Sequence, residues 1–148
     1  MEYIKIRFGK NLGHMHSRLQ KTIDEMFQQV NPMLVLQEQT WRPQMDVYET
    51  PKEIIIVGDI SGVNKEELEV ELDQKAVKIT GVRRETARVS GMKYHLAEIA
   101  YGRFERILFL PVPINPEEVQ ASYVNGLLKI TMAKRPREQV RQIRVEGE

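Results

Sequence analysis

Residues 119–132, Val-Gln-Ala-Ser-Tyr-Val-Asn-Gly-Leu-Leu-Lys-Ile-Thr-Met, carry the strongest local signal in the chain. Val119, Ala121 and Tyr123 alternate along one side of an extended segment, and Leu128, Ile130 and Met132 alternate back along another. Asn125-Gly126 between them suits a type I′ turn, whose two central residues both need positive φ. The stretch is therefore a β-hairpin. Upstream, Phe104, Arg106, Leu108 and Leu110 share a strand face that Pro111 ends. Leu68, Val70 and Leu72 alternate with Glu67, Glu69, Glu71 and Asp73, giving one buried and one acidic solvated face, and Val77 and Ile79 repeat the pattern a strand later. Pro43 to Tyr48 leads through the turn Thr50-Pro51-Lys52 into Glu53 to Ile60, a second hairpin. Short strands with no long helix between them predict an all-β sandwich or barrel rather than a parallel α/β sheet.

The flanks differ in character. Between Arg84 and Tyr101 the alternation fails over a stretch longer than a hairpin needs, and long loops in compact domains usually carry function or disorder. From His16 to Val30 the residues Leu19, Ile23, Met26, Phe27 and Val30 recur at steps of three and four, the stripe of an amphipathic helix that Asn31-Pro32 stops. Such a stripe either packs on its own domain or, tethered beside it, forms an adhesive surface of adaptable side chains. After Lys134, Arg135-Pro136-Arg137-Glu138 begins a polar tail, within which Ile143-Arg144-Val145 points two β-branched side chains to one side. The expected organisation is an arm over 1–40, a sandwich over 41–135 and an extension over 136–148.

Composition bounds the function. The 148 residues suit one domain with appendages, and 29% charged with 41% hydrophobic residues is a globular composition. Lys plus Arg (22) nearly balances Asp plus Glu (21), unlike a general binder of nucleic acid or anionic membrane. With no Cys, disulfides, thiolate metal sites and cysteine nucleophiles are excluded. Met1 to Gly13 interleaves Glu2, Lys5, Arg7 and Lys10 with apolar residues, so no signal-peptide core is expected. The longest apolar runs, such as Ile54 to Val57 and Met33 to Leu36, fall far short of the ~20 residues of a membrane span. A cytoplasmic location is the expectation.

Several of these residues, in order and spacing, resemble the small heat-shock or α-crystallin proteins of bacterial or plant-like type. They are Trp41-Arg42-Pro43 with Asp46-Val47-Tyr48-Glu49, then Tyr94-His95 with Glu98 before Tyr101-Gly102-Arg103-Phe104-Glu105-Arg106. Leu110-Pro111, Ala121 with Asn125-Gly126-Leu127-Leu128, and Ile143-Arg144-Val145 follow. The likeness covers about Trp41 to Lys134 plus the tail doublet. It departs where the family often has Leu-Pro-Gly and this chain has Ile60-Ser61-Gly62. The resemblance implies an immunoglobulin-like β-sandwich with a helical arm and an extended tail, acting as an ATP-independent holdase without cofactor. The implied partners are copies of itself, in dimers that assemble further, and unfolding client proteins, with no nucleic acid and no integral membrane association.

The same resemblance implies roles for particular residues. Met92, Lys93, Tyr94, His95 and Leu96 match a small strand that pairs with the partner subunit's sheet. Ile143 and Val145 match a doublet that docks in a neighbour's groove, lined here by Leu68, Val70, Leu72, Val119, Ala121 and Tyr123. Leu19, Ile23, Met26, Phe27 and Val30 become the client-binding stripe. Arg106 is either a solvated or locally paired arginine or, as the resemblance implies, a support of subunit contacts through a carboxylate.

Catalytic readings have little to stand on. His14, His16 and His95 are the only histidines, and the first two fall on different faces of a helix. No serine lies in a G-x-S-x-G pattern and no G-x-x-x-x-G-K-[ST] loop exists. Arg83-Arg84 and Lys134-Arg135-Pro136-Arg137 read as solubilising charge. The rival to the oligomeric chaperone is a monomeric or dimeric β-sandwich co-chaperone module, which needs neither the 92–96 insert nor the tail doublet.

Overall fold

The computed structural model describes residues 4–9, 41–136 and 143–147. The strands are β1 (Lys5–Phe8), β2 (Met45–Glu49), β3 (Glu53–Asp59), β4 (Glu69–Leu72), β5 (Ala76–Arg83), β6 (Gly102–Phe109), β7 (Ile114–Val124) and β8 (Leu127–Lys134). They form two four-stranded sheets, ordered β1-β4-β5-β6 and β2-β3-β8-β7. Among these strands every pairing is antiparallel except β1 with β4, which is parallel.

The alternation seen in the sequence generates the core. Ile54 and Ile56 of β3, Leu128, Ile130 and Met132 of β8, Val70 and Leu72 of β4, and Val77 and Ile79 of β5 are all fully buried in one cluster between the sheets. At about 1.5–3 kcal/mol for each large aliphatic side chain taken out of water, this layer is the main source of stability. The outer face of this sheet carries charge pairs across strands: Glu71 of β4 with Lys78 of β5 at 3.9 Å, and Lys78 with Glu105 of β6 at 3.9 Å.

Local chemistry sets the turns. The Thr50 side chain accepts hydrogen bonds from the amides of Lys52 (3.3 Å) and Glu53 (3.0 Å), closing the β2–β3 hairpin. Asn125 and Gly126 have φ of 53° and 80°, the left-handed pair a type I′ turn requires. This turn is also a packing element. A Cβ on Gly126 would lie 2.6 Å from the Ser61 Cβ, and the Ile60 amide donates to the Gly126 carbonyl at 3.0 Å. Tyr123 donates its hydroxyl to the Ile60 carbonyl at 2.9 Å. Ile60-Ser61-Gly62 thus serves as a turn with a buried first residue and a positive-φ glycine, even without the proline of the related pattern.

Three details depart from the expected boundaries. The alternation from Glu67 to Asp73 is strand only over Glu69–Leu72, because the Glu67 and Leu68 amides donate to the Asn64 and Lys65 carbonyls and wind Lys65–Glu67 into a 3-10 turn. β7 starts at Ile114, and its register on β8 shifts between Ile114 and Val119, around Pro116, which has no amide to donate. Residues 5–8, expected within the arm, form a strand on the sandwich. The predicted helix over 16–30 lies outside the described residues.

Replacing Gly126 by Ala combines a disfavoured positive φ with a collision at Ser61, so unfolding free energy should fall by more than about 1 kcal/mol. Denaturant titration at fixed protein concentration checks this, and an unchanged midpoint would contradict the packing of this turn.

Candidate interaction surfaces

The sandwich entrance is built around one arginine. Arg83, at the end of β5, holds its guanidinium 3.7 Å from the centre of the Trp41 ring, and its Nε donates to the Ala100 carbonyl at 2.7 Å. Its Nη1 donates to the Ser61 carbonyl at 3.2 Å. Trp41 in turn donates its indole N–H to the Gly102 carbonyl at 2.9 Å and meets the Phe104 ring edge-on at 5.3 Å. Phe104 fits because Gly81 faces it across the β5–β6 pair; a Cβ there would come within 2.6 Å of the ring. Arg83 therefore ties both ends of the 84–101 loop to the domain. Arg84 donates to Glu67, which holds that carboxyl below the usual carboxylate range against a smaller opposing effect of desolvation. The basic clusters are thus not merely solubilising: Lys134 pairs with Glu49 at 2.6 Å, and Arg135 donates to Gln74 at 3.1 Å.

The residues matched to a docking groove come from both sheets. Leu68, Val70 and Leu72 are fully buried, whereas Val119, Ala121 and Tyr123 are half-buried against the same core. The outer edge of β4 is not open: β1 pairs along it, with Lys5 opposite Glu69, Ile6 opposite Val70, Arg7 opposite Glu71 and Phe8 opposite Leu72. Ile4 and Ile6 are half-buried on the core, and Arg7 lies 3.8 Å from Glu69. The doublet meant for such a groove lies in solvent, with Ile143 82% and Val145 86% exposed.

The loop matched to a dimer strand forms no strand within a single chain. Met92, Lys93, Tyr94, His95 and Leu96 are all exposed, and Met92, Tyr94 and Leu96 fall at every second position. Val47 and Tyr48 are exposed on β2, which is an edge strand.

Arg106 lies opposite Ile79 on β5 and donates to the Pro43 carbonyl. Burial, and secondarily the charge of Arg42, lowers its pKa, so this cation is partly desolvated. Among the described residues, its hydrogen-bond acceptor is thus a backbone carbonyl at the sandwich entrance. The arm residues Leu19, Ile23, Met26, Phe27 and Val30 lie outside the described residues. Among the described residues, no group of three or more His, Asp or Glu side chains is placed to hold a metal ion, and no helix is long and apolar enough to cross a membrane.

Two stacked sheets built largely from hairpins, with a long exposed loop leaving β5 and an exposed apolar doublet beyond β8, define a β-sandwich of immunoglobulin-like architecture. Residues 46–146 match the family model described as Hsp20/alpha crystallin family, and the chain belongs to that family. It is 30% identical over 105 residues to small heat shock protein C2 of Rickettsia felis, covering 71% of this chain and 68% of that one. Over 107 residues it is 36% identical to an 18.1 kDa class I heat shock protein of Arabidopsis thaliana, covering 70% and 66%. The matched region thus spans about two thirds of these relatives' length. The crystal structure of a small heat-shock protein from Xylella fastidiosa superposes with a TM-score of 0.61 at 28% identity, covering 72% of this chain and 98% of that one. Membership of this family implies a chaperone role.

One electrostatic contact orders the exposed loop. The Tyr94 hydroxyl donates to Glu85 at 2.6 Å, holding that carboxyl below its ordinary range and raising the phenol's own pKa; Arg88 adds an exposed pair with Glu85 at 3.3 Å. The contribution of Glu85 is present above its unfolded pKa and lost as pH falls through its lower folded value. That of Tyr94 is present below its unfolded pKa and lost as pH rises through its higher folded value. In Tyr94→Phe the Glu85 carboxyl should titrate upward toward its ordinary value while Glu67 stays depressed. Carbon-detected NMR titration of both carboxyls tests this, and an unmoved Glu85 would contradict it.

Proposed function

We propose that the chain is an ATP-independent holdase that binds partly unfolded proteins, prevents their aggregation and assembles as dynamic oligomers of dimers. The observation that carries this reading is the separation of two apolar populations. One is a sandwich core that is fully buried, and the other lies off it, on the loop (Met92, Tyr94, Leu96) and the tail (Ile143, Val145), exposed to solvent. An apolar group held outside a finished core suits transient contact with other chains.

In this reading Met92 to Leu96 adds as a strand to the partner subunit's β2. Extended backbone with one apolar face supplies the ladder, and the exposed Val47 and Tyr48 supply neighbours for it. Arg106, near Pro43 just before β2, supports that contact. Ile143 and Val145 dock between the edges of β4 and β7 in a neighbouring copy. Burying them contributes about 1.5 to 3 kcal/mol each, and ordering the tail costs a comparable amount. One tail therefore binds weakly, and cohesion of the particle comes from many such links at high effective concentration. The Xylella fastidiosa protein forms a distinct high order structure, which supports assembly here. The stripe Leu19, Ile23, Met26, Phe27 and Val30 is the client surface, exposed as warming loosens the links. The chain works without cofactor or catalysis, on protein partners rather than nucleic acid or the membrane interior, in the cytoplasm.

The direct test heats an aggregating client protein with stoichiometric amounts of the chain and no nucleotide, following turbidity. Suppression is expected, and it should fall severalfold when residues 1–40 are deleted. Aggregation unaffected by the full chain would overturn the function, and full activity after the deletion would move the client surface elsewhere.

A further inference from the structure

The strand that occupies the β4 edge has the same chemistry as the tail. Ile4-Lys5-Ile6 and Ile143-Arg144-Val145 each set a basic residue between two β-branched ones, so that in extended form both β-branched side chains face one way and the cation the other. On β4 the matching faces are Val70 and Leu72, turned to the core, and Glu69 and Glu71, turned outward. The register of β1 puts Ile6 beside Val70 and sets Lys5 and Arg7 beside Glu69 and Glu71, a complementary pairing of apolar and charged neighbours.

Only one strand fits there. β4 pairs with β5 along its other edge, and β1 takes the outer edge over all four residues, continued by the Gly9 amide donating to the Leu72 carbonyl at 3.1 Å. A second strand finds no free ladder groups beside β4 while β1 is in place. β1 itself is lightly held. It is four residues long and parallel, with Ile6 half-buried and Lys5, Arg7 and Phe8 exposed, and its ion pair to Glu69 is a surface one.

We propose that the outer edge of β4 is an exchange site for two segments of one chemistry: the chain's own Ile4-Lys5-Ile6 and the Ile143-Arg144-Val145 of a second copy, each excluding the other. This rests on the reading of Ile143 and Val145 as a docking doublet and adds what that reading lacks, an internal competitor. A neighbour's tail then binds with its affinity reduced by the fraction of time the edge is open. Its arrival releases residues 4–9, including the exposed Phe8, for other contacts. Assembly and exposure of the first strand are thereby coupled.

The test uses the full chain carrying Ile143→Ser and Val145→Ser, so that its own tails do not compete, and a synthetic peptide of residues 137–148 as probe. Peptide binding should speed amide hydrogen exchange at Lys5–Phe8 while Glu69–Leu72 stays protected. Adding Ile4→Ser and Ile6→Ser should tighten peptide binding about tenfold, if β1 covers the edge about nine-tenths of the time. A peptide that binds without changing exchange in β1, and equally well to both proteins, would overturn the competition while leaving tail docking intact. A peptide that binds neither protein would overturn the docking reading and the competition with it. Should the Ile4 and Ile6 replacements impair folding, the exchange measurement with β1 intact decides alone.

Discussion

The free edges of the two sheets are the constraint on which the rest depends. A sandwich closes its core but not its edges, and an edge strand presents a row of unpaired backbone groups that invites another chain. Here β6 and β2 end their sheets beside the loop and the entrance, β7 lies along the third edge, and the fourth, that of β4, is covered by a strand from the start of the sequence. Burial of isoleucine, leucine and valine between the sheets supplies the stability, so the edges are free to be used for something other than holding the fold together.

The 84–101 loop is positioned by side chains that contribute little to the core. Arg83 stacks on Trp41 and reaches the carbonyls of Ala100 and Ser61, while Arg84 is fastened to Glu67 and Tyr94 to Glu85. These contacts hold the base and the middle of the loop, and Met92 and Leu96 remain in solvent. An anchored loop with an apolar, period-two tip needs less ordering to pair with a partner's sheet than a free one, which lowers the entropic cost of the proposed dimer contact.

Most of the sandwich was legible because its signals are local. Asn125-Gly126 determines its own turn, Thr50 caps its own hairpin, and Val70 and Leu72 or Val77 and Ile79 declare their buried face by alternation. The 3-10 turn at Lys65–Glu67 escaped because Glu67 continues the alternation of the strand after it. β1 escaped for a different reason. Four residues, two of them cationic, become a strand only through a parallel partner far along the sequence, although Ile4 and Ile6 repeat the spacing of the tail doublet. Arg83 likewise looks like surface charge until Trp41, Ser61 and Ala100 converge on it. Arg106 donates to a backbone carbonyl, a partner that no side-chain pattern announces.

Whether the apolar segments outside the core join copies of the chain is decided most directly by native mass across a temperature ramp, for the full chain and for one lacking the last dozen residues. The expected result is a many-subunit particle that loses mass on warming, and a dimer when the tail is absent. A monomer at every temperature, with or without those residues, would contradict the central claim.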